Sequence, residues 1–371
     1  MSGRLELRRG VVVSAEPLTV EVDGARRPAW ADTALLGEMR EGDEVVVNVA
    51  ALDLRLGSGG FDVVHVNLTR GLRGRDEGDD THVMKLNYTS LQHAVNLVEQ
   101  DWGAARDETQ HRAARDEIEH EGAAADSAPP GAPVLVLPLH GHLAPAAWAA
   151  AQTRPGLKLG FVQTAGGALP GSLSRDVAEL RERGLLCGHV TANPAYGGEQ
   201  EALSTVGALD AAANRLGWDA ILVGPGPGII GSETILGHGG LAALDSAHAA
   251  LSLGMPTLIS PRLSSGDPRE RHRGLSHHTR TVLDLLLAPV IIATPEGNGE
   301  VAADLKAASG ERHQLRAAPA DLAGYADTGL PARTMGRSLG EDPLFFAAPL
   351  AAGSVVGASA AGGVEGGGSR T

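Results

Sequence analysis

Cysteine occurs once in these 371 residues, as Cys187. That excludes an intrachain disulfide framework and any zinc site built on several cysteines. In the apolar stretch from Leu185 to Val190 the thiol is expected to be a small buried side chain. Lysine is nearly as scarce, at Lys85, Lys158 and Lys306 only, so most positive charge is arginine. With the Ala/Gly-rich composition this suggests a GC-rich bacterial coding bias. Positive charge as a whole is short: 31 Lys+Arg against 45 Asp+Glu give a formal charge of −14, which argues against a nucleic-acid partner. Met1–Gly10 carries no secretory-type apolar run, and no stretch reads as the ~18 consecutive apolar residues of a membrane span. The expectation is a cytoplasmic protein with no membrane partner. A G-x-S-x-G elbow, a Gly-Lys-Ser/Thr phosphate loop and a glycosidase-like carboxylate pair are also missing.

What the sequence does have is two kinds of patterning. Up to about residue 70, short β-type runs alternate with turns, among them Asp23-Gly24, whose residues both tolerate positive φ. This predicts a small barrel or sandwich. Leu91, Val95 and Val98 recur at helical spacing, predicting a connecting helix over His82–Gln100, followed by a charged, then Ala/Pro-rich, linker to about residue 132. From 133 to 295 apolar runs alternate with helical stretches, the pattern of βαβ units. Six strands are expected: Val134–Leu139, Leu157–Gln163, Leu185–Thr191, Ala220–Val223, Pro256–Ser260 and Val290–Ala293. The fold class is therefore α/β, a small β domain followed by a mostly parallel sheet in Rossmann-like layers. Residues 296–350 read as an extension, and the Gly/Ala/Ser-rich 351–371 as a disordered tail.

Ligands of such sheets bind beyond the carboxyl ends of the strands. Three glycine-rich loops fall there. Gly224, Gly226, Gly228, Gly231 and Ser232 follow the fourth strand; Gln163, Thr164, Gly166 and Gly167 end the second; Asn193 opens the loop after the third. Backbone amides at such loops suit a phosphate or carboxylate. Gly226, Gly228 and Gly231 satisfy the spacing of a dinucleotide fingerprint, but the next strand ends at Ser260 and not at the acidic residue that would hold a ribose. His140-Gly141-His142 closes the first strand and offers two imidazoles to one divalent metal, with His189, Glu233, His238, Asp245 and His248 as conceivable completions. His277 and His278 open the last helix, where the dipole disfavours imidazolium. Upstream, Arg262, Arg269, Arg271 and Arg273 form a basic cluster that suits an anion or surface carboxylates equally.

Together Leu139–His142, Gln163–Ala168, Gly224–Gly228 and Ser276–Thr279 resemble a bacterial family known as domain of unknown function 3866, common in Gram-positive lineages. The resemblance spans the β domain to about Ala293 and implies no reaction or cofactor. The residues themselves point first to an enzyme acting on a small anionic metabolite, phosphorylated or nucleotide-like. In that reading His140, His142, Glu233, His277 and His278 are the catalytic candidates, and Gln163, Thr164, Gly166, Gly167, Asn193, Gly224, Gly226, Gly228, Gly231, Ser232 and His238 the ligand-binding ones. Two alternatives stay open: a metal-dependent hydrolase using His140 and His142, and a non-catalytic effector-binding or assembly protein. The cofactor is left open, with a divalent metal among the candidates, and so is a homo-oligomer.

Overall fold

Residues 5–55, 59–72, 81, 83–99, 131–232 and 234–360 are described by the computed structural model. They divide into two compact units, Met1–Thr81 and His82–Thr371. In the first unit, strands β1 (Leu7–Ala15), β2 (Leu18–Val22), β3 (Ala25–Trp30), β4 (Glu44–Asn48) and β5 (Asp62–Asn67) close into a barrel of order β1-β2-β3-β5-β4, with short helices α1 (Thr33–Leu36) and α2 (Ala50–Asp53). The barrel-or-sandwich alternative resolves as a barrel. Alternation along the strands sends Val12, Val20, Val22, Val45, Val47 and Val64 inward. Asp23 and Gly24 take φ of 51° and 78° and join β2 to β3 as the tight hairpin expected of them.

The second unit opens with β6 (Val83–Lys85) paired antiparallel to β7 (His93–Val95), where a helix was expected. Positive φ at Leu86 and Tyr88 turns the chain back on itself and overrides the helical spacing of Leu91, Val95 and Val98. Lys85 is the anchor of this hairpin: its ammonium is buried and donates to the carbonyls of Thr191 and Ala195, each at 2.7 Å, and to Glu201 Oε2 at 2.5 Å. The central layer follows as β8 (Val134–Val136), α3 (Leu143–Thr153), β9 (Leu159–Thr164), α4 (Arg175–Glu182), β10 (Gly188–Ala192), β11 (Gln200–Ala202), α5 (Thr205–Asn214), β12 (Ala220–Pro225), α6 (Ala242–Ser252) and β13 (Thr257–Ile259). A small hairpin, β14 (Leu263–Ser264) and β15 (Gly274–Leu275), leads to α7 (His277–Leu285), β16 (Ile291–Pro295), α8 (Gly299–Ser309) and β17 (Gln314–Ala318). Finally come α9 (Leu322–Ala326), the hairpin β18 (Arg333–Thr334) and β19 (Arg337–Ser338), and α10 (Pro343–Ala360).

Eight strands form one parallel sheet of order β11-β10-β9-β12-β8-β13-β16-β17. Both faces are covered, which is why its strands read as near-continuous apolar runs. Val134, Val136, Ile221, Val223 and Ile259 pack one face with α5, α6, α7 and α8. Leu135, Leu137, Leu222 and Leu258 pack the other with α3, α4 and α10. The chain leaves β8 toward β9 on one side and crosses from β12 to β13 on the other, so the sheet reverses direction around β8. A crevice opens at such a reversal, beyond the carboxyl ends of β12, β8 and β13.

Helix α10 corrects two expectations. Residues 351–360 were read as part of a disordered tail and are instead helical, with Ala351, Ala352, Val355 and Val356 buried. The remainder of that tail lies outside the described residues. Small side chains are what make this packing work: a Cβ at Gly353 would strike the carbonyl of Ala146, and one at Gly357 would lie 2.9 Å from that of Ala150, so α10 and α3 approach backbone to backbone. The same helix is long and apolar enough to cross a bilayer by length and composition, at a mean hydropathy of 1.5, yet 67% of it is buried within the protein. Cys187, expected to be buried, is exposed at the start of β10.

Candidate functional site

The loops beyond β9, β12 and the approach to α6 are held against one another by missing side chains. A Cβ at Gly166 would lie 2.7 Å from Ala242 Cβ and 2.9 Å from the Gly239 carbonyl, and one at Gly167 would strike the Gly226 carbonyl. One at Gly226 would lie 2.7 Å from Gln163 Nε2, and the Ala168 amide donates to the Pro227 carbonyl at 2.7 Å. Gly224 is buried against the Leu137 carbonyl. These glycines allow loops to touch, so Gly166, Gly167, Gly224 and Gly226 face protein backbone and not an open anion cradle. Gly228, at φ 78°, makes an open turn. Gly231 bridges to His238 across a small hairpin that also ties up Ser232, whose hydroxyl donates to the Gly237 carbonyl at 2.8 Å. Glu233 lies outside the described residues.

Nor do His140 and His142 converge. A strand end would send both to one side, but residues 140–142 form a 3₁₀ turn, in which positions two apart point well away from each other. The Pro225 carbonyl, 3.1 Å from His140 Nδ1, can only accept, so the proton sits on Nδ1 and the Ser174 hydroxyl donates to Nε2 at 2.7 Å. Ser174 also caps α4 by accepting from the Val177 amide. His142 is buried, with Nδ1 2.9 Å from Ser260 Oγ and its ring edge-on to Phe345 at 4.9 Å between centroids. Gln163 donates to the carbonyls of Ala168 and Leu169 and accepts from His189 Nε2 at 3.2 Å, so it fastens its own loop. The Thr164 hydroxyl bonds the Ala165 carbonyl, and Asn193 is exposed.

These imidazoles are held neutral. Burial, aided by Arg262, pushes His142 down to about 3, and burial, aided by His140 and Arg181, pushes His189 down to about 3. Unfolding restores both to an ordinary value of about 6.5, so below that pH the unfolded chain binds more protons and stability falls as pH drops toward 3. Urea unfolding midpoints taken between about pH 7.5 and 4.5 are expected to decline, each imidazole adding up to about 1.4 kcal/mol per pH unit. A midpoint that held steady on acidification would contradict this assignment.

A different set of side chains does converge, at the crevice beyond β12 and β13. His238 precedes α6, His277 and His278 occupy the first turn of α7, and His272 sits in a 3₁₀ turn just before it. Ser276 organises them: its hydroxyl accepts from the His278 amide at 3.2 Å and lies 2.7 Å from His272 Nδ1. The rings of His238 and His278 stack with centroids 3.7 Å apart and planes within 4°. His272 lies 4.8 Å from His277 and 4.9 Å from His278, centroid to centroid. Gly240 makes room, since a Cβ there would lie 3.0 Å from Nδ1 of both His238 and His278. Neither nitrogen of buried His238, nor Nε2 of half-buried His277, makes a hydrogen bond of good geometry among the described residues, although the Ile235 backbone lies near enough to His238 to favour its protonated form.

The family model for a protein of unknown function, DUF3866, matches residues 28–353. The chain belongs to the DUF3866 family. No curated protein and no solved structure matches it. The match runs beyond Ala293, where the sequence resemblance seemed to stop, and takes in β17 and most of α10.

Electrostatically the histidine cluster is cationic. Arg262, three residues after β13, is 4% exposed; its Nη1 donates to His278 Nδ1 at 3.0 Å, its Nη2 lies 3.6 Å from Asp267, and its Nε has no hydrogen-bond partner among the described residues. Three guanidiniums, of Arg262, Arg269 and Arg337, share two buried carboxylates, Asp267 and Asp342. Burial resists ionisation of Asp267, but Arg269 outweighs it and holds the carboxyl well below its usual range. Burial, reinforced by Arg262, pushes His278 down to about 2, and burial, reinforced by Arg262 and Arg269, pushes His272 down to about 3. Burial lowers His238 and His277 as well. Of the DUF3866 residues gathered here, His238, His277 and His278 were candidates from sequence. Arg262 was visible only as part of a basic run, and His272, between Arg271 and Arg273 and four residues before Ser276, was passed over.

Proposed function

We propose that this protein is an enzyme acting on a small anionic molecule, bound at the histidine–arginine pocket beyond β12 and β13. The observation that carries the reading is Arg262: a buried guanidinium with an unpartnered Nε, beside four neutral imidazoles, where a parallel sheet reverses its strand order. Desolvated guanidinium recognises phosphate or carboxylate strongly, because charge-assisted hydrogen bonds strengthen where water is excluded. The imidazoles offer nitrogen lone pairs to a reacting centre held by that anion. Titration of chelator-treated protein with inorganic phosphate, read by calorimetry, is expected to show one binding event that Arg262→Gln weakens by about tenfold or more. Binding that is absent, or unchanged in the variant, would remove the basis of the reading.

A second reading, a non-catalytic effector or assembly protein, draws on one observation. The hairpin carrying His238 exposes Ile230, Ile235 and Leu236, at 81%, 68% and 62%, as a surface that meets a partner would. Phosphate binding without turnover of any phosphorylated or carboxylated compound, together with self-association lost on Ile235→Ser, would favour it.

A further inference from the structure

We propose that His238, His277 and His278 are the protein ligands of a first-row divalent cation, zinc being the ion this donor set fits best. One ring nitrogen of each lies within 4.8 Å of one from each of the others. A buried polar atom without a partner is costly, so native structures leave few of them. His238, 6% exposed, has two on one ring, and His277 adds its Nε2. A cation would take one nitrogen of His238 and Nε2 of His277, and the other His238 nitrogen would keep the ring proton. An all-imidazole set favours zinc and its first-row neighbours over magnesium or calcium, which take oxygen ligands. Three protein ligands leave a fourth position open for water or a substrate atom.

The geometry also states what must move. At metal–nitrogen distances of about 2.0–2.1 Å, tetrahedral donors stand roughly 3.3 Å apart, so atoms now separated by up to 4.8 Å draw inward by about 1.5 Å. Lone pairs lie in the ring planes, and those of His238 and His278 are stacked parallel, so one ring has to turn. His238 is the less tightly held of the two, its ring making no hydrogen bond of good geometry among the described residues. His278 is held at Nδ1 by Arg262. Ligation by that nitrogen displaces the guanidinium, and ligation by Nε2 moves the ring proton to Nδ1, which then no longer accepts from Arg262. Either way the cation competes with the Arg262 hydrogen bond. A dication close to Arg262 is also repelled unless an anion stands between them. Cation and anion should therefore bind together, each tightening the other by the same factor; this last step rests on the anion site proposed above, whereas the three-histidine site does not.

The test is titration of the untagged, chelator-treated full chain with zinc chloride, with and without inorganic phosphate, followed by metal analysis after gel filtration. One zinc per chain is expected, bound more tightly with phosphate, and cobalt(II) should give the visible bands of a four-coordinate site. His238→Ala and His277→Ala should each weaken zinc by at least about 100-fold. His238 is buried and stacked on His278, so His238→Gln, which keeps more of its volume, is the second variant should His238→Ala melt below the native chain. His248→Ala, on α6 but outside the cluster, should bind as the native chain does. Failure to take up stoichiometric zinc or cobalt, or uptake that survives both substitutions, overturns the proposal. Phosphate binding without zinc uptake would overturn the metal site and leave the anion reading standing; zinc uptake indifferent to phosphate and to Arg262→Gln would do the reverse.

Discussion

Glu201→Ala is expected to destabilise the protein by about 3–5 kcal/mol, the range found when one member of a buried ion pair is removed. Lys85 has a side chain with 0% exposure, and all three of its ammonium protons are committed, two to carbonyls and one to Glu201. Without Glu201 the positive charge stays buried with nothing to balance it. The same carboxylate accepts from Thr191 Oγ1 at 2.7 Å and from the Gly197 amide at 2.6 Å, so its loss also loosens the turn after β10. A Lys85→Met/Glu201→Leu double variant, which removes both charges, should be clearly more stable than Glu201→Ala alone. Urea unfolding of the three proteins decides this; equal losses in the single and double variants would mean that the charge pair is not what matters there.

The second large effect is at Gly160→Val, expected to cost about 3 kcal/mol, the upper end for overpacking a dense interior. Gly160 in β9 stands beside Gly188 in β10 and Ile221 in β12, in the middle of the sheet. The indole of Trp218, 6% exposed, lies across both glycines, and any Cβ on Gly160 would fall within the ring. The ring cannot retreat, because it is packed in the same core as Val162, Val190 and Ile221. Combining Gly160→Val with Trp218→Ala should recover part of the lost stability by exchanging volume. A Gly160→Val protein with a native melting temperature would show that the indole has room that the packing denies it.

The parallel sheet was legible because burial on both faces writes uninterrupted apolar runs, and six strands could be drawn from them. The two that escaped are the sheet's edges. β11 is Gln200-Glu201-Ala202, polar and three residues long, and reads as the first turn of the helix that follows it. β17 keeps only Ala318 fully buried, so its sequence lacks the apolar run. α10 was misread for a different reason: Gly, Ala and Ser signal disorder when alone, and signal close helix packing when a partner such as Ala-rich α3 is present, which the local sequence does not reveal. The pocket was half legible. Strand-end placement put His238 among the ligand-binding candidates and His277 and His278 among the catalytic ones without joining them, since their meeting depends on a loop folding back across Gly240, and Arg262 gained its significance only through burial. His140 and His142 misled because the chain enters a 3₁₀ turn at the point where an extended strand end was assumed.

Helix α10 has a consequence for how the molecule comes into being. The first strand of the sheet to be synthesised, β8, has Leu135 and Leu137 on the face that α10 covers with Phe345, Phe346 and Leu350. On a ribosome the sheet can be assembled strand by strand as the chain emerges, but the part of that face not covered by α3 and α4 stays open until Pro343–Ala360 has cleared the exit tunnel. During that interval the nascent protein carries a broad oily surface of the kind that holding chaperones recognise. Completion thus waits for Pro343–Ala360 to emerge, and a message truncated before Pro343 would yield a sheet with one face covered only by α3 and α4.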